Sequence, residues 1–190
     1  MANRNTQGFG LIPAGRVGGG PSIQGQGKYL IDAGHSTTIY NGECVKISSG
    51  YVVGGNGSAA DILGVLNGIF FNAADTLKPT FSNFYKATIT PANSEDTTAF
   101  VIDDPFQQYV VAADAATGVA TFLETYDMNT SAGSDTTGKS SSTLDIGTTS
   151  ANGKQFRMLR SAEDPENEDA TAVRHSVIVV SNLNSFNGHN

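Results

Sequence analysis

The stretch from Ala99 to Ala113, AFVIDDPFQQYVVAA, decides the fold class. It contains two short apolar and β-branched runs, Ala99–Asp103 and Gln108–Ala113, whose length and composition are typical of strands. Asp103-Asp104-Pro105 lies between them and predicts a turn that ends the first strand, because Asp and Pro favour turns and Pro cannot donate to a ladder. The stretch therefore predicts β-structure on both sides of a short connection.

Strand-sized runs of this kind recur along most of the chain, separated by turns rich in Gly, Asn and Asp. The pattern predicts about eleven strands. Besides the two above, the predicted strands are Lys28–Ile31, Thr37–Ser48, Tyr51–Val53, Ile62–Phe71, Phe84–Thr90, Val119–Tyr126, Leu144–Thr148, Gln155–Ser161 and Val173–Leu183. Gly64 and Gly68 predict a bulge or bend in their strand. Many short strands with Gly-rich turns predict an all-β fold, either a single β-barrel or a sandwich-like domain.

The chain of 190 residues suits one domain, which we place at residues 28–190. Within it, residues 129–152 are rich in Ser and Thr and nearly free of large apolar side chains. This composition predicts a long polar surface loop with at most a short strand at Leu144 and Ile146. The single cysteine, Cys44, excludes an internal disulfide, and its place in a predicted strand indicates a buried small side chain.

Residues 1–27 differ from the rest and predict an extended N-terminal arm, rich in Gly and free of acidic residues. Ordering a backbone costs roughly 1–2 kcal/mol per residue, whereas burying one apolar side chain stabilises by about 1.5–3 kcal/mol. The few apolar side chains of the arm cannot offset that cost, so we expect the arm to order on a partner by strand addition. A disordered terminus is the alternative. The residues expected to bind the partner are Arg4, Phe9, Leu11, Ile12, Arg16, Val17 and Ile23.

Charge and hydropathy exclude two classes of partner. The net charge is −7, and residues 1–31 contain three basic and no acidic residues, so the remainder is more acidic still. A body this acidic repels nucleic acid. No stretch approaches the roughly 20 apolar residues of a membrane span, and the N-terminus lacks the apolar core of a signal peptide. We expect a soluble protein made in the cytoplasm of its host, with no nucleic-acid or membrane partner.

No pattern of catalytic or metal-binding residues stands out. His35, His175 and His189 lack the spacing of a zinc site, and Asp103-Asp104 is explained by the turn. The run Glu163–Asp169 contains five carboxylates in seven residues. Such a run can hold calcium, but Pro interrupts it and the EF-hand spacing is missing, so a solvated loop is favoured. We expect no enzyme activity, no cofactor and no metal.

Several stretches, taken in their order along the chain, form a pattern that is more specific than any one of them. They are Asn3-Arg4 with Gly8-Phe9, Tyr29–Ile31, Gly42-Glu43-Cys44-Val45-Lys46, Ile62-Leu63-Gly64-Val65 with Gly68, the run from Lys78 to Tyr85, the run from Ala99 to Pro105, and Phe156-Arg157-Met158-Leu159 with Asp164-Pro165-Glu166-Asn167. Together they resemble the head decoration or cement proteins of tailed bacteriophages. Two departures are Glu43, where the family pattern has Asp after Gly, and the Ser/Thr-rich stretch, which does not align.

The resemblance implies a β-barrel-like structural protein on the outer capsid surface of a virion. It would bind the phage major capsid protein through the arm and bridge neighbouring capsid subunits. It would also contact neighbouring copies of itself, as a dimer or trimer. A carbohydrate-binding β-domain of a phage tail or fibre is the alternative, although Trp is absent and aromatic residues make up only 8% of the chain, which disfavours stacking on sugars. A hydrolase is a further alternative, without a catalytic constellation to support it.

Overall fold

The structure is a computed structural model that describes residues 2–20, 25–57, 61–129 and 133–186. Within these ranges the chain forms twelve strands in two antiparallel sheets that pack as a sandwich. The predicted all-β fold is confirmed. Of the two architectures expected from the sequence, the sandwich is observed and a closed barrel is not.

The strands have the following bounds. In chain order they are β1 (Ile12–Arg16), β2 (Gln26–Ile31), β3 (Cys44–Ser48), β4 (Tyr51–Gly54), β5 (Gly64–Asn72), β6 (Pro79–Ser82), β7 (Thr97–Ile102), β8 (Gln107–Ala112), β9 (Thr125–Met128), β10 (Leu144–Ser150), β11 (Phe156–Ser161) and β12 (Ser176–Ser181). Sheet A has the order β1-β8-β12-β11-β9-β10. Sheet B has the order β2-β7-β5-β3-β4, and β6 pairs with the second half of β5. Single 3-10 turns lie at Ala92–Ser94 and Val119–Thr121.

The predicted turn at Asp103-Asp104-Pro105 is confirmed and carries the chain from sheet B to sheet A. The Phe106 N–H donates to Asp104 Oδ1 at 2.9 Å, and the Gln107 N–H donates to the Asp104 carbonyl at 3.1 Å. The flanking strands β7 and β8 do not pair with each other, because β7 lies in sheet B and β8 in sheet A. The turn is thus a corner of the sandwich.

Two apolar clusters stabilise the fold, one on each face of sheet B. The first fills the space between the sheets and includes Tyr109, Phe156 and Val177 of sheet A with Val65 and Ile102 of sheet B. The second covers the other face of sheet B, which curls until β4 lies beside β2. Its members are Ile31, Ile39, Val45, Val52, Leu63, Leu66, Ile69, Tyr85, Ala99 and Val101. Sheet B is buried on both faces near its centre, where β5 begins with the buried run Gly64-Val65-Leu66.

Strand β5 contains the bulge that its glycines predict. Its partner β7 pairs Val101 with Leu66 and the next residue, Phe100, with Gly68, so Asn67 is an extra residue on β5. A bulge inserts one residue without a partner and bends the strand. The Asn67 carbonyl instead accepts a hydrogen bond from Asn41 Nδ2 at 2.8 Å.

The predicted strand Phe84–Thr90 is wrong. Tyr85 forms a single bridge with Ile39, the Ala87 N–H donates to Thr38 Oγ1, and the Ile89 N–H donates back to the Lys86 carbonyl to close a turn. The alternation in the sequence arises because Tyr85 and Ile89 pack on the second cluster. Alternating burial therefore occurs here without a ladder.

Other predictions need smaller corrections. Of Thr37–Ser48 only Cys44–Ser48 is a strand, and Val119–Tyr126 begins with a 3-10 turn before β9. Strands β1 and β6 are missing from the sequence prediction, because each contains a Pro and lies where composition indicates a turn or an arm.

The polar surface loop predicted at residues 129–152 needs a correction in its middle part. Residues 130–132 lie outside the described residues, and residues 135–137 and 151–152 are exposed. Leu144–Ser150 forms strand β10, which is longer than the short strand expected there. Ser140, Ser142 and Thr143 are buried, and the hydroxyls of Ser140 and Ser142 take part in hydrogen bonds inside the molecule. The small side chains let residues 140–143 pass through the interior beside other backbone.

Candidate attachment surface

The N-terminal arm begins on the acidic loop 163–169. Asn3 forms the main contact: its Nδ2 donates to the carbonyls of Asp169 at 3.0 Å and Val173 at 2.9 Å, while its Oδ1 accepts the Asp169 N–H at 2.9 Å. The Arg4 N–H donates to the Glu166 carbonyl, and the Arg4 guanidinium pairs with the Glu166 carboxylate. The acidic loop 163–169 therefore binds the first residues of the arm.

The acidic loop is itself ordered by short polar contacts. Asn167, which is buried, donates from Nδ2 to Asp164 Oδ2 at 2.8 Å and accepts the Asn5 N–H on Oδ1 at 2.7 Å. Hydrogen bonds from Thr171 lower the pKa of Asp169 to about 2. These contacts fix the loop as a binding surface for the arm.

Glycines let the next part of the arm lie directly on the Ser/Thr-rich segment. A Cβ on Gly8 would lie 2.2 Å from the Ser141 carbonyl oxygen, and one on Gly10 would lie 2.7 Å from the Gly42 carbonyl oxygen. Gly10 also has a φ of +74°, which L side chains rarely adopt. The backbone of the arm is paired there, because the Gly10 N–H donates to the Ser142 carbonyl at 3.1 Å and the Leu11 N–H to the Gly42 carbonyl at 2.8 Å.

Segment 39–43 lies between the arm and the Ser/Thr-rich segment and contains a buried carboxyl. Glu43 Oε2 accepts the Tyr40 N–H at 3.0 Å. Burial raises the pKa of Glu43 to about 7, although this hydrogen bond opposes the shift. On the other side, Asn41 forms a bridge with Lys139 and its carbonyl accepts the Ser140 N–H.

The arm then enters the sandwich and becomes an edge strand. Leu11 belongs to the cluster between the sheets, and β1 pairs with β8, the partner of Ile12 being Val110. The buried Gln107 side chain donates to the Gly15 carbonyl at 2.8 Å. β1 is the terminal strand of sheet A, and no other strand in the described ranges pairs with its outer edge.

Beyond β1 the arm presents a small mixed surface. The Arg16 guanidinium pairs with Asp104 at 2.9 Å and lies over the Phe106 ring, 5.8 Å from its centroid. The Val17 N–H donates to the Phe106 carbonyl at 3.0 Å. Ile12 and Val17 remain 48% and 45% exposed. Arg16, Val17 and Phe106 therefore lie together where β1 ends.

The structure therefore corrects the expectation that the arm orders only on a partner, since residues 2–17 pair with the body of their own chain. Strand addition, expected on a neighbour, takes place within the chain between β1 and β8. Leu11 is buried and is not available to a partner. Arg4 and Arg16 are paired with carboxylates of the same chain. Phe9 is half-buried, and Ile23 lies outside the described residues.

Other chemistry-bearing residues lie apart from the arm. The buried His175 contacts Ser161 Oγ with Nε2 at 3.0 Å and Thr117 Oγ1 with Nδ1 at 2.5 Å. Burial lowers the pKa of its imidazole. A catalytic triad places a carboxylate on that second nitrogen, and Thr117 occupies the position here. The sequence showed no signal for this cluster, because its three residues are far apart along the chain.

The remaining candidates have structural roles. Cys44 is buried at the start of β3, where its thiol donates to Asn56 Oδ1 at 2.9 Å and burial raises its pKa. Asp103 accepts the Tyr29 hydroxyl at 2.7 Å. In the described part of the chain no three His, Cys, Asp or Glu residues are grouped so as to hold a metal ion. His189 lies outside that part.

No helix in the described ranges is long and apolar enough to cross a membrane. Compared with known proteins, the chain matches no family model, no curated protein and no solved structure.

Proposed function

We propose that this protein is a structural component of a phage virion, which binds the outside of the capsid and cements neighbouring major capsid protein subunits. The observation that carries the proposal is the free edge of β1, flanked by the exposed side chains of Ile12 and Val17. An unpaired strand edge is a template for a strand of another chain. The resemblance to phage decoration proteins, which rests on several stretches in the same order along the sequence, indicates that the partner chain is the major capsid protein.

The surface suits weak contacts that are repeated many times. It offers a short strand edge, two exposed aliphatic side chains and one guanidinium held against an aromatic ring. Such a contact is weak by itself, but a symmetric shell that engages several linked sites at once increases the overall affinity strongly. Charge supports a protein partner, because a net charge of −7 opposes binding to packaged nucleic acid.

The test is cosedimentation of the purified protein with capsid shells that lack it. Val17→Asp introduces a charge beside the free edge of β1, and we expect it to weaken binding at least ten-fold, since burying one apolar side chain stabilises by about 1.5–3 kcal/mol. Val119→Asp is the matched control, because Val119 is also exposed and lies in a 3-10 turn away from β1. Equal binding by both variants would contradict the proposed surface.

Point variants are better than truncation for this test. Deleting residues 1–27 would remove Leu11 from the core and β1 from sheet A, so that loss of binding would also follow from loss of folding. Copy number in purified virions is an independent measurement. Hundreds of copies per particle would support a shell position, whereas about six to a few dozen would place the protein on a tail or vertex and contradict the proposal.

The alternative function, a carbohydrate-binding β-domain of a tail or fibre, is favoured by one observation. The rings of Phe81 and Phe100 lie together at the surface, with centroids 6.2 Å apart, and Phe81 is largely exposed. Aromatic rings stack on the apolar faces of sugars. Binding of the purified protein to a glycan array, lost in Phe81→Ser, would favour this alternative over the capsid.

A further inference from the structure

Asparagine followed directly by glycine occurs five times in this chain, and four of these pairs lie within the described residues. In such a pair the backbone nitrogen of the glycine can attack the side-chain amide of the asparagine, because glycine has no Cβ to hinder the approach. The attack requires movement of the backbone and of the amide. The fold therefore decides which of the pairs can react.

Backbone hydrogen bonds hold two of the four pairs. The Gly42 N–H donates to the Leu66 carbonyl at 2.9 Å, and the Gly57 N–H donates to the Met128 carbonyl at 2.7 Å. The asparagines that precede these glycines are both partly buried. A nitrogen that donates to a carbonyl inside the fold reacts only after local opening of the structure.

The third pair, Asn67-Gly68, is held by sheet B. Gly68 is buried and pairs with Phe100 of β7, and a Cβ on it would lie 2.7 Å from the Phe81 ring. The Asn67 carbonyl accepts the hydrogen bond from Asn41 Nδ2 at 2.8 Å. Attack in this pair would therefore require β5 to separate from its neighbours.

The fourth pair, Asn152-Gly153, lies in the loop between β10 and β11, and both of its residues are exposed. The Gly153 N–H donates to the Ser150 hydroxyl at 3.3 Å, and no backbone carbonyl in the described part of the chain accepts it. A long hydrogen bond to an exposed hydroxyl stabilises little, because water replaces it readily. Among the four pairs, this glycine nitrogen is the one that the fold leaves available.

A guanidinium lies against the amide that the nitrogen would attack. Arg157 Nη2 donates to Asn152 Oδ1 at 2.8 Å, while Asn182 Nδ2 donates to the backbone carbonyl of Asn152 at 3.0 Å. Attack on Cγ develops negative charge on Oδ1, and a donor already directed at that oxygen stabilises the charge. The positive charge also favours loss of the proton from the Gly153 nitrogen.

We propose that Asn152 is a site of spontaneous deamidation and that Arg157 accelerates the reaction. The Gly153 nitrogen loses its proton to solvent base and forms a bond to Asn152 Cγ. The Cγ–Nδ2 bond then breaks, and the nitrogen leaves as ammonia after taking up a proton. Water adds to the cyclic succinimide and opens it to aspartate or isoaspartate, so that the chain gains one negative charge beyond its net −7.

The reaction needs no partner, so the inference goes beyond the proposed capsid function. The loop that contains Asn152 follows β10, which forms the edge of sheet A opposite to β1. Deamidation can be followed on the free chain. Its absence would not bear on capsid binding, and loss of capsid binding would not bear on deamidation.

The test is incubation of the purified full chain at neutral and mildly alkaline pH, followed by trypsin digestion and mass spectrometry. Tryptic peptide 140–154 contains Asn152 as its one asparagine, and peptide 29–46 contains Asn41 as its one asparagine. We expect deamidation at Asn152 to be at least about ten-fold faster than at Asn41, which must wait for local opening. The rate should rise with pH, because the attacking nitrogen must lose its proton. A sample digested before incubation corrects for deamidation during digestion.

Gly153→Ala tests the attacking nitrogen. The fold should tolerate this change, since a Cβ on Gly153 meets only Ser150 Oγ, at 3.4 Å. The added methyl group hinders the approach to Asn152 Cγ, and we expect the reaction to slow by about ten-fold or more. Asn152→Asp provides the reference for the aspartate product on an ion-exchange column.

Arg157→Gln tests the guanidinium and should slow deamidation at Asn152 by about three- to ten-fold, because one hydrogen bond to the developing charge is lost. Arg160→Gln is the matched control. It removes the same charge from the same strand, but Arg160 contacts Ser161 and Glu163 and should leave the rate at Asn152 unchanged. Circular dichroism of each variant checks the fold.

Three results would overturn the proposal. The first is equal rates at Asn152 and Asn41 in the folded chain. The second is a Gly153→Ala variant that reacts as fast as the wild type, which would exclude the succinimide route. The third is an Arg157→Gln variant that reacts as fast as Arg160→Gln or faster, which would show that the guanidinium does not accelerate the reaction.

Discussion

The arm and the Ser/Thr-rich segment 133–152 both contain few large apolar side chains, yet they bury different kinds of groups. The arm places one large aliphatic side chain, Leu11, into the core and otherwise offers backbone N–H groups. The Ser/Thr-rich segment places hydroxyls in the interior, where Ser140 donates to Ser142 at 2.8 Å. The two regions meet where Gly8 lies on Ser141 and Ser142.

The difference shows that segments rich in small residues such as Gly and Ser can serve two structural roles. In the arm, glycine permits close approach of backbone, which a Cβ at Gly8 or Gly10 would prevent. In the Ser/Thr-rich segment, serine provides hydroxyls that hydrogen bond inside the molecule. Composition alone indicated a segment without a core for both regions, because it counts apolar side chains and ignores backbone pairing.

The largest expected effect comes from the arm. Leu11→Ala removes a buried side chain between the sheets, and we expect it to lower the free energy of unfolding by about 2–5 kcal/mol. Urea denaturation measures the change. Leu77→Ala, at an exposed leucine outside both clusters, should change it by less than about 0.5 kcal/mol. Equal effects would mean that the arm is not part of the cooperative fold.

A smaller effect is expected from the Ser/Thr-rich segment. Ser142 Oγ accepts hydrogen bonds from Asn56 Nδ2 at 2.6 Å and from Ser140. Ser142→Ala leaves these buried donors without that acceptor, and the free energy of unfolding should fall by about 1–3 kcal/mol. The half-exposed neighbour Ser141 provides the control, Ser141→Ala. No difference between the two variants would show that the hydroxyls of this segment do not stabilise it.

The smallest effect is expected from segment 39–43, which joins the two regions, and it depends on pH. The pKa of Glu43 is about 7 in the folded chain, above its ordinary value of 4.5. Between these values the folded chain keeps a proton that the unfolded chain has lost, so the contribution of Glu43 to stability falls as pH rises through this window. Glu43→Gln removes the buried charge and should stabilise by on the order of 1 kcal/mol at pH 8.

Urea denaturation of Glu43→Gln and the wild type at several pH values measures this effect. The two unfolding free energies should converge towards pH 4.5, where the carboxyl is protonated in the folded chain. Glu95→Gln removes an exposed carboxyl and is the control for a change in net charge. A difference that stays constant with pH would contradict a titrating Glu43 in this segment.

The sequence predicted the elements whose burial produces a regular pattern, and it missed those that depend on distant partners. β7 and β8 were found because their alternating side chains face a core on one side. β1 was missed because Pro13 and Gly15 hide a strand that exists only through pairing with β8. The false strand at Phe84–Thr90 shows the reverse, since Tyr85 and Ile89 alternate inward without a ladder.

The partner-binding role of the arm stays a prediction, and the pairing of the arm with its own chain was not predicted from the sequence. Arg4 forms an ion pair with Glu166, and Arg16 forms one with Asp104. Both carboxylates belong to the same chain but are far away in sequence. Spacing along the chain carries no information about such pairs. The exposed apolar side chains of sheet B were missed for a related reason: Leu30, Phe70 and Phe81 come from three strands, and only the register of the ladder places them on one face.

The extra residue in β5 has a consequence for changes in chain length. Insertion or deletion of one residue in a strand normally moves every later side chain to the opposite face. Asn67 stands outside that alternation, since Leu66 and Gly68 pair with consecutive residues of β7. Deleting Asn67 would therefore keep Ile69 inside and Phe70 on the opposite, partly exposed face, at the loss of the hydrogen bond from Asn41. Insertion of one residue between Gly68 and Ile69 would instead exchange Ile69 and Phe70, turning an aliphatic side chain to solvent and an aromatic ring into the core.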